Sequence, residues 1–462
     1  MRRLSLVVLV LLGGACHAPA PAPGPPPPPD PRVAWAFLDT LEERTFRFFW
    51  ERADPRTGLV PDRWPTPSFS SIAAVGFGLT AYPIGVERGY VTRAEARRRV
   101  LTTLDFFLHA PQGPQAAGGA GHRGFFYHFL DMTTGRRFGT VELSTIDTTL
   151  LLGGVLFCQS YFDGDPPEEQ AVREKAEELF RRVDWRWAAV RPPLVSMGWK
   201  PESGFLDHDW RGYNEAMLLY VLALASPTSA VDESAWSEWT RTYTWGTFQG
   251  QAHVAFGPLF GHQYSHVFLD FRGIRDAYMR GRGIDYFENS RRATYAQRGY
   301  AALNPLGWKE YGREVWGLTA CDGPADVRLT VGARPRTFWT YSARGVSLEG
   351  IRDDGTIAPT AAAASLPFAP EIVLPALLEM RRRHGGALFS TYGFIDAFNP
   401  SFPGGWVDTD YLGIDQGPML AMIENHRTGL VWRTLRRNPH VVRGLRRAGF
   451  TGGWLEEAAA TP

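Results

Sequence analysis

Cysteine is scarce, with three residues in 462, and that excludes a disulfide framework. No charge of one sign dominates either. Lys plus Arg number 49 and Asp plus Glu 48, a formal net charge of +1, so the cation surplus with which nucleic-acid proteins face phosphates is missing. Past the N-terminal run Leu4–Leu12 no 18 uncharged apolar residues follow one another without a breaker, and no membrane-spanning helix is predicted. GxGxxG, Walker A, GxSxG and HExxH are all absent. Nucleotide binding, hydrolysis at a serine nucleophile elbow and zincin chemistry lose their support with them. What is plentiful is aromatic: 16 Trp, 16 Tyr and 29 Phe. Such rings are the usual platforms for flat, partly apolar ligands, sugars among them. The apolar fraction of 44% supplies a large core, and the length fits about three domains of 150 residues or one large one.

The N-terminus is expected to stand apart from the fold. Met1–Arg2–Arg3 is a positive n-region, Leu4–Leu12 is too short to span a bilayer, and Gly13–Gly14–Ala15–Cys16 resembles a bacterial lipobox. Residues 1–16 are therefore predicted to be a signal peptide, with Cys16 the lipidated residue. Residues 17–32 read as a Pro-rich linker, whose stretch Pro19–Arg32 is a stiff spacer of roughly 3.1 Å per residue, about 40 Å long. The folded domain is expected over 33–455, exported and touching a membrane only through that anchor.

Two kinds of helix follow. In the amphipathic kind, Thr92 and Glu95 form a capping box before the stripe Val100, Leu104, Phe107 and Leu108. Glu168–Val183, Asp285–Leu303 and Asn438–Ala448 belong to the same kind. Helices apolar nearly all round are predicted at Ser71–Tyr82, Ser144–Tyr161, Tyr213–Ala225, Tyr264–Met279, Pro370–Met380 and Gly413–Asn425. These must be buried on all sides. The alternation predicts an all-α (α/α)₆ toroid, an inner ring sheathed by an outer one. An outer partner is missing between 385 and 412, and Val315–Thr360 reads as a loop-like insertion with short strands at Val327–Val331 and Thr337–Tyr341.

Acidic residues stand where the most apolar helices begin. Glu142 and Asp147 flank Ser144, Glu215 precedes Met217–Leu224, and Asp410 and Asp415 precede the last apolar run. Asp147 also completes a capping arrangement with Ser144, and Glu215 could simply favour a helix dipole. Glu142 lies outside any cap. In a ring of helices these positions converge on one end of the cavity, and carboxyls facing each other there suit glycoside hydrolysis. His262 and His266, four apart, could share a metal, but no further ligand accompanies them and a hydrogen-bonding pair is the expected reading. Cys158 reads as core and Cys321 as a turn residue. No metal and no cofactor is expected.

Phe126–Tyr127–His128–Phe129–Leu130–Asp131, Glu142–Leu143–Ser144–Thr145–Ile146–Asp147–Thr148 and Tyr213–Asn214–Glu215 resemble the bacterial glucoamylase-like family. So do Gly261–His262–Gln263–Tyr264–Ser265–His266, Asp270–Phe271–Arg272–Gly273 and Gly413–Ile414–Asp415–Gln416–Gly417–Pro418. The likeness runs over roughly 35–450, and the family includes the endo-β-1,2-glucanases of glycoside hydrolase family 144. It implies the toroid, metal-free cleavage of β-1,2-glucan, and Glu215 as the acid. Glu142, Asp147 and Asp415 all remain candidates for the second carboxylate. Tyr127, Tyr213, Asn214, His262, Gln263, Tyr264, Trp308 and Asp410 are expected to bind sugar, with packing of the insertion the other reading for Trp308. A polysaccharide lyase using Tyr264, His262 or His266 as base is an alternative, although no Arg and Lys cluster accompanies them to hold a uronate. A non-catalytic glycan-binding lipoprotein is another.

Overall fold

The structure is a computed structural model describing residues 30–456. The predicted signal peptide with Cys16, and nearly all of the Pro-rich spacer, lie outside the described residues. Among the described residues sixteen α-helices dominate, and the strands pair mostly in twos.

The two predicted kinds of helix are both present. Ile72–Glu87, Thr145–Tyr161, Met217–Ala225, Tyr264–Phe268 and Gly413–Arg427 are buried along nearly their whole length. Helix 72–87 packs against both 145–161 and 413–427, while 145–161 also touches 217–225 and 264–268. Its contact with 145–161 is backbone on backbone. A Cβ on Gly76 would overlap the Leu150 carbonyl, and one on Gly154 would overlap the Gly76 carbonyl. Glycine is required at both by the close approach. Amphipathic helices cover this core: Pro31–Arg52 lies on 72–87 and 413–427, Arg93–His109 on 72–87, Pro167–Arg182 on 145–161, and Pro439–Arg447 on 217–225. The Thr92–Glu95 capping box forms with both of its hydrogen bonds.

Three expectations about the helices need correction. Pro370–His384 is not apolar all round, because Glu371, Glu379 and Arg381–Arg383 line its outer side. The buried helix of that region is Pro359–Ala363, inside the stretch expected to be a loop. Five residues are too few to show a helical period in sequence. Tyr264–Met279 is not one helix either. It stops at Phe268, and Asp270 is drawn off into ion pairs with Arg272 and Arg436. Within the insertion Val327–Val331 forms a strand as predicted, but its partner is Arg334–Phe338, three residues earlier than expected.

Short strands gather where the buried helices begin. Ser70–Ser71 pairs with Phe129–Leu130 and leads into helix 72–87. Leu143–Ser144 lies between Phe125–Tyr127 and Gly198–Lys200 in a five-stranded sheet and leads into 145–161. Tyr411–Leu412 pairs with Arg63–Trp64 and leads into 413–427. This stitching brings the first turns of the buried helices, and the acids beside them, to one end of the molecule.

Candidate active site

Glu142 and Asp147 flank Ser144, the residue that caps helix 145–161. Asp147 is held by its own cap, since its N–H donates to Ser144 Oγ at 3.1 Å and the same hydroxyl donates to its carboxylate. Between the two acids stands His128. Its Nδ1 lies 2.8 Å from Glu142 and its Nε2 3.5 Å from Asp147. Burial alone would lower this imidazole, but the Asp147 charge and the Glu142 hydrogen bond prevail and push it up to about 9. In return the His128 hydrogen bond holds Glu142 down at about 2. Glu142 and His128 are thus an ion pair at neutral pH.

Glu215 differs. It stands two residues before helix 217–225, half-buried, and its carboxylate hydrogen-bonds no other residue among those described. Its backbone is fixed instead. Ser265 Oγ donates to the Glu215 carbonyl at 2.7 Å and accepts from Leu218 N–H at 3.0 Å. Asn214 Oδ1 accepts from Ala216 N–H at 3.0 Å. Desolvation, aided by the Asp147 charge, pushes Glu215 up to about 7.

Asp415 occupies the first turn of 413–427 and accepts from the Tyr264 hydroxyl at 3.4 Å. Burial pushes it up to about 7, with the Asp322 and Asp62 charges adding to the effect. Asp396 is buried beside it and accepts from Asp322 N–H through Oδ2. One oxygen of each, Asp396 Oδ1 and Asp415 Oδ2, is buried without a donor from any third residue among those described. The Asp396 and Asp415 carboxyls are hydrogen-bonded to each other, and burial with the Asp415 charge holds Asp396 well above the usual carboxylate range. Asp62, Asp322 and Asp410 gather around Arg63, which reaches Asp322 at 2.6 Å. Asp322, Asp396 and Asp408 each bring one oxygen within 4.8 Å of the others. A small hard cation would suit those donors, although Arg63 already supplies positive charge to Asp322.

Several residues expected to bind sugar are occupied elsewhere. Trp308 is only 5% exposed. Its indole donates to Asp353 at 2.8 Å and its face lies against Arg336, so it packs the insertion. Gln263 Nε2 is spent on the Ala361 carbonyl and Ser365 Oγ, both at 2.7 Å. His262 is sealed: Nε2–H donates to the Phe256 carbonyl and Nδ1 accepts from Tyr213 OH, each at 3.2 Å. Burial keeps that ring neutral. Tyr213 is correspondingly committed, Asn214 is a turn-former, and Tyr127 is buried beneath Arg137. The polar groups of Tyr213 and Asn214 are thus spent within the fold, while the Tyr127 hydroxyl is buried without a hydrogen-bond partner among the described residues. Asp410, which accepts from Thr66 N–H, and Tyr264 do stand among the acids. Sequence reasoning missed His128, Asp62, Asp396 and Tyr341, the last 52% exposed and close to Asp415, Asp396 and Asp62. His128 lay in a quoted motif. For Asp396 no local signal existed.

A family model, Glycoamylase, described as "Putative glucoamylase", matches residues 207–439. A solved Bacteroides uniformis protein of the same description is 32% identical, with a TM-score of 0.80 over 91% of this chain and 98% of that one. The chain belongs to this family. An endo-β-1,2-glucanase of Chitinophaga pinensis, solved with sophorotriose and glucose, is 28% identical with a TM-score of 0.80, covering 91% of this chain and 99% of that one. An exo β-1,2-glucooligosaccharide sophorohydrolase (non-reducing end) of Parabacteroides distasonis is 32% identical over 444 residues, 89% of this chain. The chain spans 57% of that relative's length.

Proposed function

We propose that this glucoamylase-family chain is a glycoside hydrolase acting on β-1,2-glucans by internal cleavage, on an (α/α)₆ toroid whose loop-covered end carries the acids. The alternation of buried and covering helices, and the likeness to the Chitinophaga endo-glucanase, support the architecture and substrate. One observation carries the chemistry. Glu215 is a desolvated carboxyl that hydrogen-bonds no other residue among those described and has a proton affinity near neutral, as a general acid requires.

In this reading Glu215 gives its proton to the glycosidic oxygen as the C1–O bond breaks. A water attacks C1 from the other face, and its proton passes to Asp415. Asp415 suits the base because its affinity is near neutral, whereas Glu142, held at about 2 by His128, is too weak a base. Asp396 and Tyr264 hold the Asp415 carboxyl in place. Inversion requires room for that water, a separation of roughly 6.5–9.5 Å between the two carboxyls.

Incubation with linear β-1,2-glucan tests the proposal. Short sophoro-oligosaccharides with initially α anomers are expected by NMR, and a β first product would remove the inverting mechanism. A second reading, release of sophorose from non-reducing ends, is favoured by the Parabacteroides relative. Under it sophorose alone accumulates from the first minutes. Of the lyase bases, His262 and His266 are committed to hydrogen bonds within the fold, and Tyr264 donates to Asp415 with no Arg or Lys hydrogen-bonded to it among the described residues. Absorbance from unsaturated ends on uronate polymers would revive the lyase reading. Export and a lipid on Cys16 belong to the proposal on sequence grounds: Cys16→Ser is expected to release the protein from membranes or leave the precursor uncleaved.

A further inference from the structure

Three phenylalanine rings lead away from the acids to the surface. Phe129 stacks on the His128 ring at 3.9 Å between centroids, Phe69 lies 4.0 Å from Phe129, and Phe138 lies 4.7 Å from Phe69. His128 is the residue that clasps Glu142. The column is tied to the site by backbone as well. Asp62 N–H donates to the Phe69 carbonyl, His128 N–H to the Glu142 carbonyl and Phe138 N–H to the Phe129 carbonyl. Phe69 and Phe129 are half-buried and Phe138 is 41% exposed.

Single exposed apolar residues are ordinary on any protein surface. A contiguous file of rings that begins at an ion-paired catalytic-end carboxylate and ends in water is different, because it extends an apolar face from the site outward. None of the three contributes to the main buried clusters. Pyranose rings present C–H faces that lie well against aromatic carbon, and their hydroxyls remain free to face water or the neighbouring acids. Rings also hold such a face with little loss of conformational entropy.

We infer that Phe69, Phe129 and Phe138 form a platform for glucosyl residues of the chain beyond the bond being cut, with Phe138 its outermost contact. The inference rests on the reading of the protein as a β-1,2-glucan hydrolase and deepens it. A platform running away from the acids gives longer chains contacts that the shortest ones do not reach, and so makes cleavage depend on chain length.

The experiment compares wild type, Phe138→Ala and Phe138→Tyr on long β-1,2-glucan and on the shortest oligosaccharide that wild type cleaves. For Phe138→Ala the ratio of kcat/KM on the long chain to that on the short one is expected to fall about two- to tenfold, through KM. Phe138→Tyr, which keeps the ring, restores the ratio, and Tm is held in both variants. An unchanged ratio, or a lowered Tm that marks Phe138 as packing only, overturns the platform. Wild type that cleaves no β-1,2-glucan of any length is a separate result: it removes the functional reading, and the platform with it.

Discussion

Helix 413–427 carries a buried acid near each end, Asp415 in the first turn and Glu424 in the last, about 14 Å apart along the axis. Both are paired with a second buried carboxyl, Asp396 at one end and Glu42 at the other. Their surroundings differ in one respect. At the Glu424 end Arg88 reaches Glu424 at 2.5 Å and Arg427 reaches Glu42 at 2.9 Å. At the Asp415 end no Arg, Lys or His forms an ion pair with Asp415, Asp396 or Glu215 among the described residues, and Tyr341 beside them is half-exposed. Acids clamped by guanidinium groups are fixtures of the fold, strongly destabilising to break. Burial and Glu424 raise even the clamped Glu42, to about 9. The Asp415 end is set apart by having no cation paired with acids whose affinity is near neutral, which can trade a proton with a substrate.

The largest effect that would sharpen this contrast is on turnover. Glu215→Gln keeps shape and removes the proton, and is expected to lower kcat on the order of 10²–10⁴-fold while glucan still binds by calorimetry. Near wild-type turnover would break the assignment of the open end to chemistry. The clamped end is expected to answer in stability instead. Arg88→Met leaves Glu424 and Glu42 short of a cation and should cost about 3 kcal/mol by denaturant unfolding, with kcat per folded molecule retained. A fall in kcat with stability intact would mean that the two ends do not divide their labour in this way.

Smaller effects follow from pH. Glu215 is raised from 4.5 to about 7, so the folded protein binds more protons than the unfolded one over that interval. Wild-type stability therefore loses this group's contribution as pH rises from about 4.5 to 7. Glu215→Gln is expected to gain in Tm over wild type across that window and to hold a constant lead above it; a lead that shrinks with pH would mean the carboxyl is not desolvated. The Glu142–His128 pair has the opposite habit. His128 is raised to about 9, so its contribution is complete below 6.5 and gone above about 9. Glu142 is lowered to about 2, so its contribution is complete above 4.5 and lost on approach to 2. His128→Asn should therefore cost most between pH 4.5 and 6.5, about 1.5 kcal/mol for a part-exposed pair, and progressively less toward pH 9. A cost independent of pH would show that packing on Phe129, not charge, is what His128 supplies.

What the sequence determined by itself is whatever a short stretch of chain encodes. Helix periodicity, the Thr92–Glu95 capping box, the Ser144 cap and the acids beside the apolar runs are local, and each stands where it was read. So do four of the six apolar runs that had to be buried; Tyr264–Met279 breaks at Phe268 and Pro370–Met380 turns charged residues outward. Only the tertiary structure decided which polar side chains remain free. Gln263, His262 and Trp308 looked like ligands to sugar, yet each is satisfied by a partner remote in sequence or sealed by packing. Asp396 stands in a Gly-Phe-Ile-Asp stretch with no pattern of its own, and it matters because the chain folds it against Asp415 beside Asp322. The physical reason is that a carboxyl's proton affinity depends on desolvation and on charges a few ångströms away. Those neighbours come from Asp62 to Asp415, and no local window of sequence contains them.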